Sequence, residues 1–309
     1  MPHPINRREC LQLGAAALLG TPLFAADKSV TITFGFSLYG MRSLPMDDAL
    51  AACARIGYDA VELAVMPGWP ADPTKLSKDD RKKLRDRLKE LNLALPALME
   101  NTPLDVGDKV HDEQLLRLKA AAELGRELSP EKQPIIETIL GGKPDQWDKL
   151  REPFATRLRD WAKLAEAAMT IIAIKPHRFG AMNRPDHGRW LVEKIGSPWI
   201  RLAYDWSHFE QRDMKMRETM KALIPLTVFV HVKDTVVEKG QARFVLSGDG
   251  STDYQALVGG LKDEGYSGCV CVEVSGQVSA KKDYEPLAAA KKCYEKLAPV
   301  FEKTGVRRK

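Results

Sequence analysis

The chain has 309 residues, of which 44% are apolar and 29% are charged, and its formal net charge is +5 at pH 7. This composition is typical of an ordinary globular protein with a sizeable core, and the length fits one large domain or two small ones. The positive charge is modest and partly confined to the tail 303–309. It therefore does not indicate a nucleic-acid-binding protein.

The N-terminal segment has the features of an export signal. The pair Arg7-Arg8 precedes an apolar run at 13–19, and small residues follow. The run is too short to span a bilayer, which favours a signal peptide over a membrane anchor, and paired arginines are typical of the twin-arginine route. We expect a signal over 1–26, one mature domain over 27–309, and a periplasmic or other extracytoplasmic location with no stable membrane anchor after cleavage.

Eight short apolar runs then alternate with longer, charged segments of helical periodicity. One helix is predicted to follow Ser77, whose spacing to Asp80 resembles a capping box, and others are predicted over 157–168 and 285–301. Strands that alternate with helices predict parallel β/α units. The predicted strands are 32–37, 60–63, 93–98, 135–140, 171–174, 199–204, 227–232 and 269–274.

Eight such units in this length match a (β/α)8 TIM barrel, an α/β fold. A doubly wound open sheet is less favoured, because no glycine-rich phosphate loop follows the first strand. Active sites of TIM barrels form at the C-terminal ends of the strands. The last four predicted strands end in polar residues, namely Lys175, His177, Asp205, His208, His231, Lys233, Asp234 and Glu273.

Three of these residues form a candidate metal site. Asp205, His231 and Glu273 lie at the ends of three successive strands, and a closed barrel brings them to one axis. Two carboxylates and an imidazole suit a divalent ion such as Mn²⁺, Mg²⁺, Co²⁺ or Zn²⁺. Each residue alone has a structural alternative, either a helix cap or a hydrogen-bonded core histidine.

Other polar and sulfur-containing residues of the strands are interpreted as structural. Glu62 and Glu137 read as polar contacts that line the barrel floor. Cys269 and Cys271 share one face of the last strand and read as small core residues beneath Glu273 rather than as a metal site or a disulfide.

The chain carries three ordered motifs, YDWSH at 204–208, HVKD at 231–234 and GYSGCVCVE at 265–273. They resemble the xylose isomerase-like TIM-barrel family, which contains sugar phosphate isomerases and epimerases and also endonuclease IV-like enzymes. Residues 56–63 are similar to the family's second strand, and 246–250 to its glycine loop.

The resemblance implies four strand-end metal ligands: a glutamate on the fifth strand, then an aspartate, a histidine and a final glutamate. Asp205, His231 and Glu273 match the last three. It also implies that two glutamates flank the substrate, one removing a proton beside a carbonyl and the other returning it. His208 matches a position that contacts substrate oxygens.

Lys175 departs from this pattern, because it stands where the family has its first glutamate, two residues before His177. The replacement removes a ligand and reverses a charge, although three ligands can still hold a catalytic ion. Three interpretations stay open. Lys175 is a general base whose pKa is lowered by burial, a fixed cation that holds a substrate oxygen or replaces the charge of the ion, or a salt-bridge partner in an inactive site.

Motifs and resemblance together predict a metal-assisted sugar isomerase or epimerase, or a related lyase, that abstracts a proton beside a carbonyl. Export favours a free sugar, keto-sugar or glycoside as the substrate. The predicted roles are catalytic for Glu273 and Lys175, metal-binding for Asp205, His231 and Glu273, and substrate-binding for His177, His208 and Lys233.

Two other functions compete with this prediction. A non-catalytic sugar-binding barrel is the main alternative. An endonuclease IV-like phosphodiesterase is less favoured, because it needs more metal ligands and a basic surface facing DNA. No nucleic-acid partner is expected, and assembly into a homo-oligomer stays open.

Overall fold

The computed structural model describes residues 30–308, and the predicted export signal over 1–26 lies outside them. Eight parallel strands close into a barrel, because the eighth strand pairs with both the seventh and the first. The predicted (β/α)8 fold is confirmed. The barrel strands, first to eighth, are Thr31–Ser37, Ala60–Ala64, Ala94–Met99, Ile135–Thr138, Ile172–Ile174, Ile200–Asp205, Thr227–Val232 and Cys269–Val272.

Helices surround the barrel, and no helix in the described part of the chain is long and apolar enough to cross a membrane. The longer helices are Met46–Ile56, Lys78–Glu90, Asp108–Leu128, Trp147–Ala168, Pro185–Ile195, Met216–Leu223, Tyr254–Asp263 and Pro286–Lys303. Shorter helical turns are Leu38–Met41, Trp206–His208, Ile224–Leu226 and Gly276–Ser279.

The predicted start of one helix agrees with the structure, and the predicted start of another does not. The capping box is present, since Ser77 Oγ accepts from the Asp80 amide and the Asp80 carboxylate accepts from the Ser77 amide. The helix predicted from residue 157 begins ten residues earlier, at Trp147. Its first turns bury Phe154 and Ala155, so packing extends the helix despite Pro153.

The strands bury side chains on both faces, and the inner face supports the site. Outward-facing residues such as Phe34 and Leu202 pack in the main core with the helices. A second cluster fills the barrel with small side chains around one aromatic ring. Its buried members, which include both cysteines of the last strand, are Ala60, Ala97, Ala173, Ala203, Phe229, Cys269 and Cys271.

Strand side chains alternate with a period of two, so the inward residue two positions after a member of this layer lies above it. Lys175 follows Ala173 by two positions, and Asp205 follows Ala203 in the same way. His231 stands above Phe229, whose ring meets the imidazole edge-on with the centroids 4.9 Å apart. The small-residue layer is therefore the floor on which the polar strand ends stand.

An antiparallel hairpin that the sequence did not predict follows the seventh strand. Its strands are Asp234–Glu238 and Gln241–Val245. The two turn residues, Lys239 and Gly240, have φ values of 50° and 75°. Both values are positive, as a type I′ turn requires, but Lys-Gly lacks the asparagine or aspartate that makes such turns recognisable. A short strand, Arg307–Arg308, also pairs in parallel with the start of the first strand.

The contribution of the Phe229 ring to the stability of this floor can be tested by substitution. Replacing Phe229 with Ala should lower the free energy of unfolding by about 3–5 kcal/mol, because the buried ring leaves a cavity. Urea denaturation at constant m-value measures the loss. Phe229→Leu is the matched control and should cost clearly less. Equal stability of the alanine variant and the wild type would contradict the role of this ring in the floor.

Candidate active site

A buried cluster of charged and imidazole side chains fills the C-terminal end of the barrel. None of its members is more than 8% exposed. Five of them were predicted as site residues from the sequence. The other two are the carboxylates of Glu62 and Glu137, which the sequence had assigned to structural contacts at the floor. The members are Glu62, Glu137, Lys175, Asp205, His231, Lys233 and Glu273.

Lys175 lies at the centre of this cluster. Its Nζ is 2.8 Å from Glu273 Oε2, 2.9 Å from His231 Nδ1 and 3.0 Å from Glu137 Oε1. An ammonium group has three N–H donors and no acceptor. Lys175 thus forms hydrogen-bond contacts with Glu273 and His231 and an ion pair with Glu137 that lacks the geometry of a hydrogen bond.

Lys233 forms a second cationic centre, closer to the mouth. Its Nζ is 2.9 Å from both Asp205 Oδ2 and Glu273 Oε2. Asp205 is also fixed from its other side, since its Oδ1 accepts from the amide and the hydroxyl of Ser207. Among the residues that the structure describes, Lys233 has these two ion-pair partners, and the contact with Asp205 lacks the geometry of a hydrogen bond, so the ammonium keeps N–H donors for another group.

His231 is held between two carboxylates and Lys175. Its Nε2 is 2.9 Å from Glu62 Oε2, and its Nδ1 is 3.0 Å from Glu273 Oε2. Burial lowers the pKa of His231, and the charges of Glu62 and Glu273 outweigh burial and raise it to about 10. The contact with Lys175 points the other way, because an ammonium cannot accept a hydrogen bond. Because Nδ1 must accept from Lys175, the ring proton lies on Nε2, where it is bonded to Glu62.

Lys175 and Glu273 stabilise each other's charged forms. Burial lowers the pKa of Lys175, but Glu137, Glu273 and Asp205 outweigh it and raise the pKa well above its ordinary value. Burial raises the pKa of Glu273, and the neighbouring cations outweigh it and hold the pKa well below its usual range. Lys175 is thus a permanent cation here, which disfavours the general-base interpretation and favours the fixed cation.

Glu137 differs from Glu273 in this respect. Its carboxyl is deeply buried, and burial raises its pKa even though Lys175 lies 3.0 Å away. Glu273 is the most exposed member of the cluster, and its hydrogen bonds and ion pairs all involve Oε2. Within the described residues no hydrogen bond reaches its Oε1, so this oxygen is the one that remains for a substrate.

Two more histidines lie beside the cluster. The rings of His177 and His208 are 4.2 Å apart, and His208 Nε2 is 3.4 Å from Asp205 Oδ2 without the geometry of a hydrogen bond. Burial lowers the pKa of His177 to about 3 and that of His208 well below its usual value, with the nearby lysines adding to the effect. Both rings are therefore neutral. His208 is buried, and neither of its ring nitrogens has a partner among the described residues.

Aromatic side chains border the polar cluster. Phe244 of the hairpin is buried and lies 5.5 Å from Lys233 Nζ, ring centroid to nitrogen, and 5.8 Å from the His208 ring. Phe179 is 54% exposed and meets Phe244 edge-on. On another side, Tyr39 stacks on Trp69 with the centroids 4.8 Å apart. Such faces suit the apolar faces of a ring-shaped ligand.

The predicted metal ligands do come together. One donor atom from each of Asp205, His231 and Glu273 lies within 4.8 Å of the others, and these donor types suit a divalent ion. Their atoms are already bonded to ammonium groups, however: Lys175 contacts His231 Nδ1 and Glu273 Oε2, and Lys233 contacts Asp205 Oδ2. The donors fit a metal by type, whereas the charge of the neighbouring lysines does not.

The sequence contains a pattern that indicates a site position for Glu62 and Glu137. Glu62 follows the floor residue Ala60 by two positions, as Lys175 follows Ala173. The same alternation places Glu137 two positions after Ile135. Extending the period-two pattern to the early strands would have assigned both glutamates to the site.

The fold and this cluster define a TIM-barrel protein with its polar residues where such barrels carry out chemistry. Residues 50–296 match the family model described as a xylose isomerase-like TIM barrel. The chain belongs to this family.

Known proteins share this fold at low identity. L-ribulose-5-phosphate 3-epimerase UlaE of Escherichia coli O157:H7 is 24% identical over 159 residues, which are 52% of this chain and 54% of that protein. The chain thus spans about half the length of the curated relatives it matches. The IOLI protein, solved with a binding zinc atom, aligns with a TM-score of 0.73 at 19% identity over 88% of this chain and 99% of its own.

A further solved structure is the apo form of YcjR from E. coli, a 3-keto-D-glucoside 4-epimerase. It aligns with a TM-score of 0.67 at 15% identity, covering 88% of this chain and all of YcjR. At these identities the structural alignments show a shared fold.

His177 gives a prediction about pH. Its folded pKa of about 3 lies below the ordinary value of 6.5, so its contribution to stability is present above pH 6.5 and is lost as the pH falls towards 3. Relative to His177→Gln, the wild type should lose about 3 kcal/mol of unfolding free energy between pH 8 and pH 4. Urea titrations at several pH values measure this difference, and the values at pH 8 are the reference. A difference that stays constant with pH would contradict the partly buried, neutral ring.

Proposed function

We propose that the chain is a carbohydrate isomerase or epimerase, or a related lyase, that removes a proton from the carbon beside a carbonyl. The observation that carries the proposal is the geometry of Glu273. This carboxylate is ionised, accepts no hydrogen bond at Oε1 from the described residues, and lies beside two ammonium groups. The names of the relatives, which include a sugar epimerase and a keto-glucoside epimerase, support the same class of reaction.

The proposed step uses the residues of the cluster. Glu273 Oε1 takes a proton from the carbon beside the substrate carbonyl. The C–H electron pair becomes the double bond of an enediolate, and the carbonyl oxygen takes the negative charge. In an isomerisation this proton returns to the former carbonyl carbon, and the proton of the adjacent hydroxyl passes to the former carbonyl oxygen. In an epimerisation the same carbon takes a proton from water on its opposite face, the carbonyl re-forms, and Glu273 releases its proton to water. In an elimination, a group on the next carbon leaves instead.

Lys233 and the histidines orient the substrate in this proposal. Within the described residues Lys233 forms ion pairs with Asp205 and Glu273, and its remaining N–H donor capacity is available to the oxygen that gains charge. His208, buried and without a partner for its ring nitrogens in the same part of the chain, would bond a substrate hydroxyl. His177 lies against His208 and completes this side.

The proposed substrate is a free keto-sugar or a keto-glycoside. This choice rests on the predicted export signal, since an exported enzyme is remote from the phosphorylated sugars of central metabolism. Phe179 and Phe244 on one side and Tyr39 on another offer apolar faces for a sugar ring. The relatives' family commonly uses a divalent ion. The proposed reaction includes no metal, because Lys175 and Lys233 contact the donor atoms of His231, Glu273 and Asp205 that would bind it.

Deuterium exchange tests the function. The full-length chain is incubated in D₂O with a panel of ketoses and 3-keto-glycosides, and deuterium at the carbon beside the carbonyl is followed by NMR, with any product identified in the same spectra. The wild type should catalyse exchange or turnover of at least one substrate. Glu273→Gln should reduce the rate by about 10²–10⁴-fold, because general-base catalysis is lost.

Glu100→Gln is the matched control. Glu100 is also a buried carboxyl at a strand end, but it pairs with Arg117 of the third helix and lies outside the cluster. Burial raises the pKa of Glu100 to about 7, so the neutral glutamine should be tolerated and exchange should persist. Sugar binding without exchange in the wild type would contradict the proposal and favour the non-catalytic sugar-binding barrel.

A further inference from the structure

The ammonium of Lys175 has the surroundings that a metal ion has in a histidine–carboxylate site. It bonds the Nδ1 acceptor of His231 and a carboxylate oxygen of Glu273. Behind it, Glu62 bonds the other ring nitrogen of His231 at 2.9 Å, as outer carboxylates do for metal-ligating histidines. The lysine head group therefore lies where the lone pairs of the donors converge.

We propose that the ammonium of Lys175 takes the place of a divalent ion in this barrel, which makes the site independent of metal, while Lys233 supplies the contact to the substrate oxygen. This inference rests on the proposed function for the substrate contact only. The replacement of the ion by Lys175 stands on the contacts within the protein.

The division of roles between the two lysines follows from their partners. Lys175 is 3% exposed. Its Nζ makes hydrogen-bond contacts with His231 and Glu273 and an ion pair with Glu137 at 3.0 Å, so protein groups surround the head group. Lys233 has two protein partners within the described residues and lies under Phe244 beside the mouth.

Charge also argues against a metal beside Lys175. A divalent ion bound to His231 Nδ1 and Glu273 Oε2 would have to lie within a few ångströms of the Lys175 ammonium, which contacts the same two atoms. Like charges at such a distance in a buried site repel strongly. The ammonium cannot withdraw to water, because it is tethered to the fifth strand and enclosed by the cluster.

A second group of potential donors does not rescue a metal site. Glu62, His231 and Cys271 also lie close enough to share an ion. Two of these donors are already engaged with each other, since His231 Nε2 lies 2.9 Å from Glu62 Oε2, and the other ring nitrogen of His231 lies 2.9 Å from the Lys175 ammonium. Cys271 is part of the small-residue floor.

Metal binding by the purified full-length protein tests the inference without any measurement of activity. The wild type and Lys175→Glu are expressed in medium supplemented with Mn²⁺, Co²⁺ and Zn²⁺, and metal content is measured by elemental mass spectrometry. Titration calorimetry with MnCl₂ and with ZnCl₂ then gives the affinities. Melting temperatures are recorded with and without EDTA.

The wild type should contain far less than one equivalent of metal, and EDTA should not change its melting temperature. Lys175→Glu restores the fourth carboxylate that the family resemblance implies and removes the repelling charge. It should bind one equivalent of Mn²⁺ or Zn²⁺ about 100-fold or more tightly than the wild type does, and bound metal should raise its melting temperature. One equivalent of metal in the wild type, with a melting temperature that EDTA lowers, would overturn the inference.

Two further variants guard against a folding failure of Lys175→Glu. Lys175→Met leaves Glu137 without its cation and Glu273 with Lys233 alone, and it should lower the melting temperature by an amount on the order of 10 °C. Adding Glu137→Gln removes one unpaired carboxylate and should recover part of that loss. If neither single nor double variant is destabilised, Lys175 is not the internal cation of the cluster.

The outcome is separable from that of the proposed function. A metal-free wild type with no exchange on any sugar would keep the cation replacement and reject the enzyme assignment. Deuterium exchange that requires added Mn²⁺ would keep the enzyme assignment and reject the cation replacement. Exchange that is unchanged by EDTA would support both.

Discussion

The buried ammonium of Lys175 is the constraint around which the end of the barrel is organised. It is surrounded by Glu137, His231 and Glu273 at 2.8–3.0 Å, and a buried charge is tolerated only when it is paired in this way. Through His231 it also fixes the position of Glu62. Removing this one cation would leave several buried acceptors uncompensated, so the other side chains are arranged for it as much as for a substrate.

The floor of small residues makes room for this arrangement. Four alanines and two cysteines fill the barrel beside Phe229, and long charged side chains from the strand ends can then meet above them. Bulkier residues in the floor would raise or splay the polar layer, since the interior of an eight-stranded barrel is just wide enough for side chains to fill. The narrow interior therefore brings seven polar side chains together in one compact, buried space.

The fold was predictable because strand and helix periods repeat eight times, and the three motifs placed Asp205, His231 and Glu273 at strand ends. The hairpin was not, because its Lys-Gly turn is a weak signal. The role of Lys175 was not predictable either. The sequence places a lysine at a ligand position, but it does not show which acceptors surround Nζ of Lys175. Those acceptors distinguish a general base from a fixed cation. Glu137, from the neighbouring strand, supplies the acceptor that the motifs did not reveal.

A tethered ammonium and a metal ion differ in what they leave for the substrate. A metal bound by three protein ligands keeps open positions that can hold a carbonyl and a hydroxyl oxygen together. Protein groups surround the ammonium of Lys175, and Lys233 is an ion-pair partner of Asp205 and Glu273. In the proposed site, orientation of the substrate therefore comes from groups that a metal site would need less. These are the ring nitrogens of the buried His208, which have no partner among the described residues, and the faces of Phe244 and Tyr39. Exchanging a metal for a lysine in this way moves the selection of the substrate from chelation to the walls of the mouth.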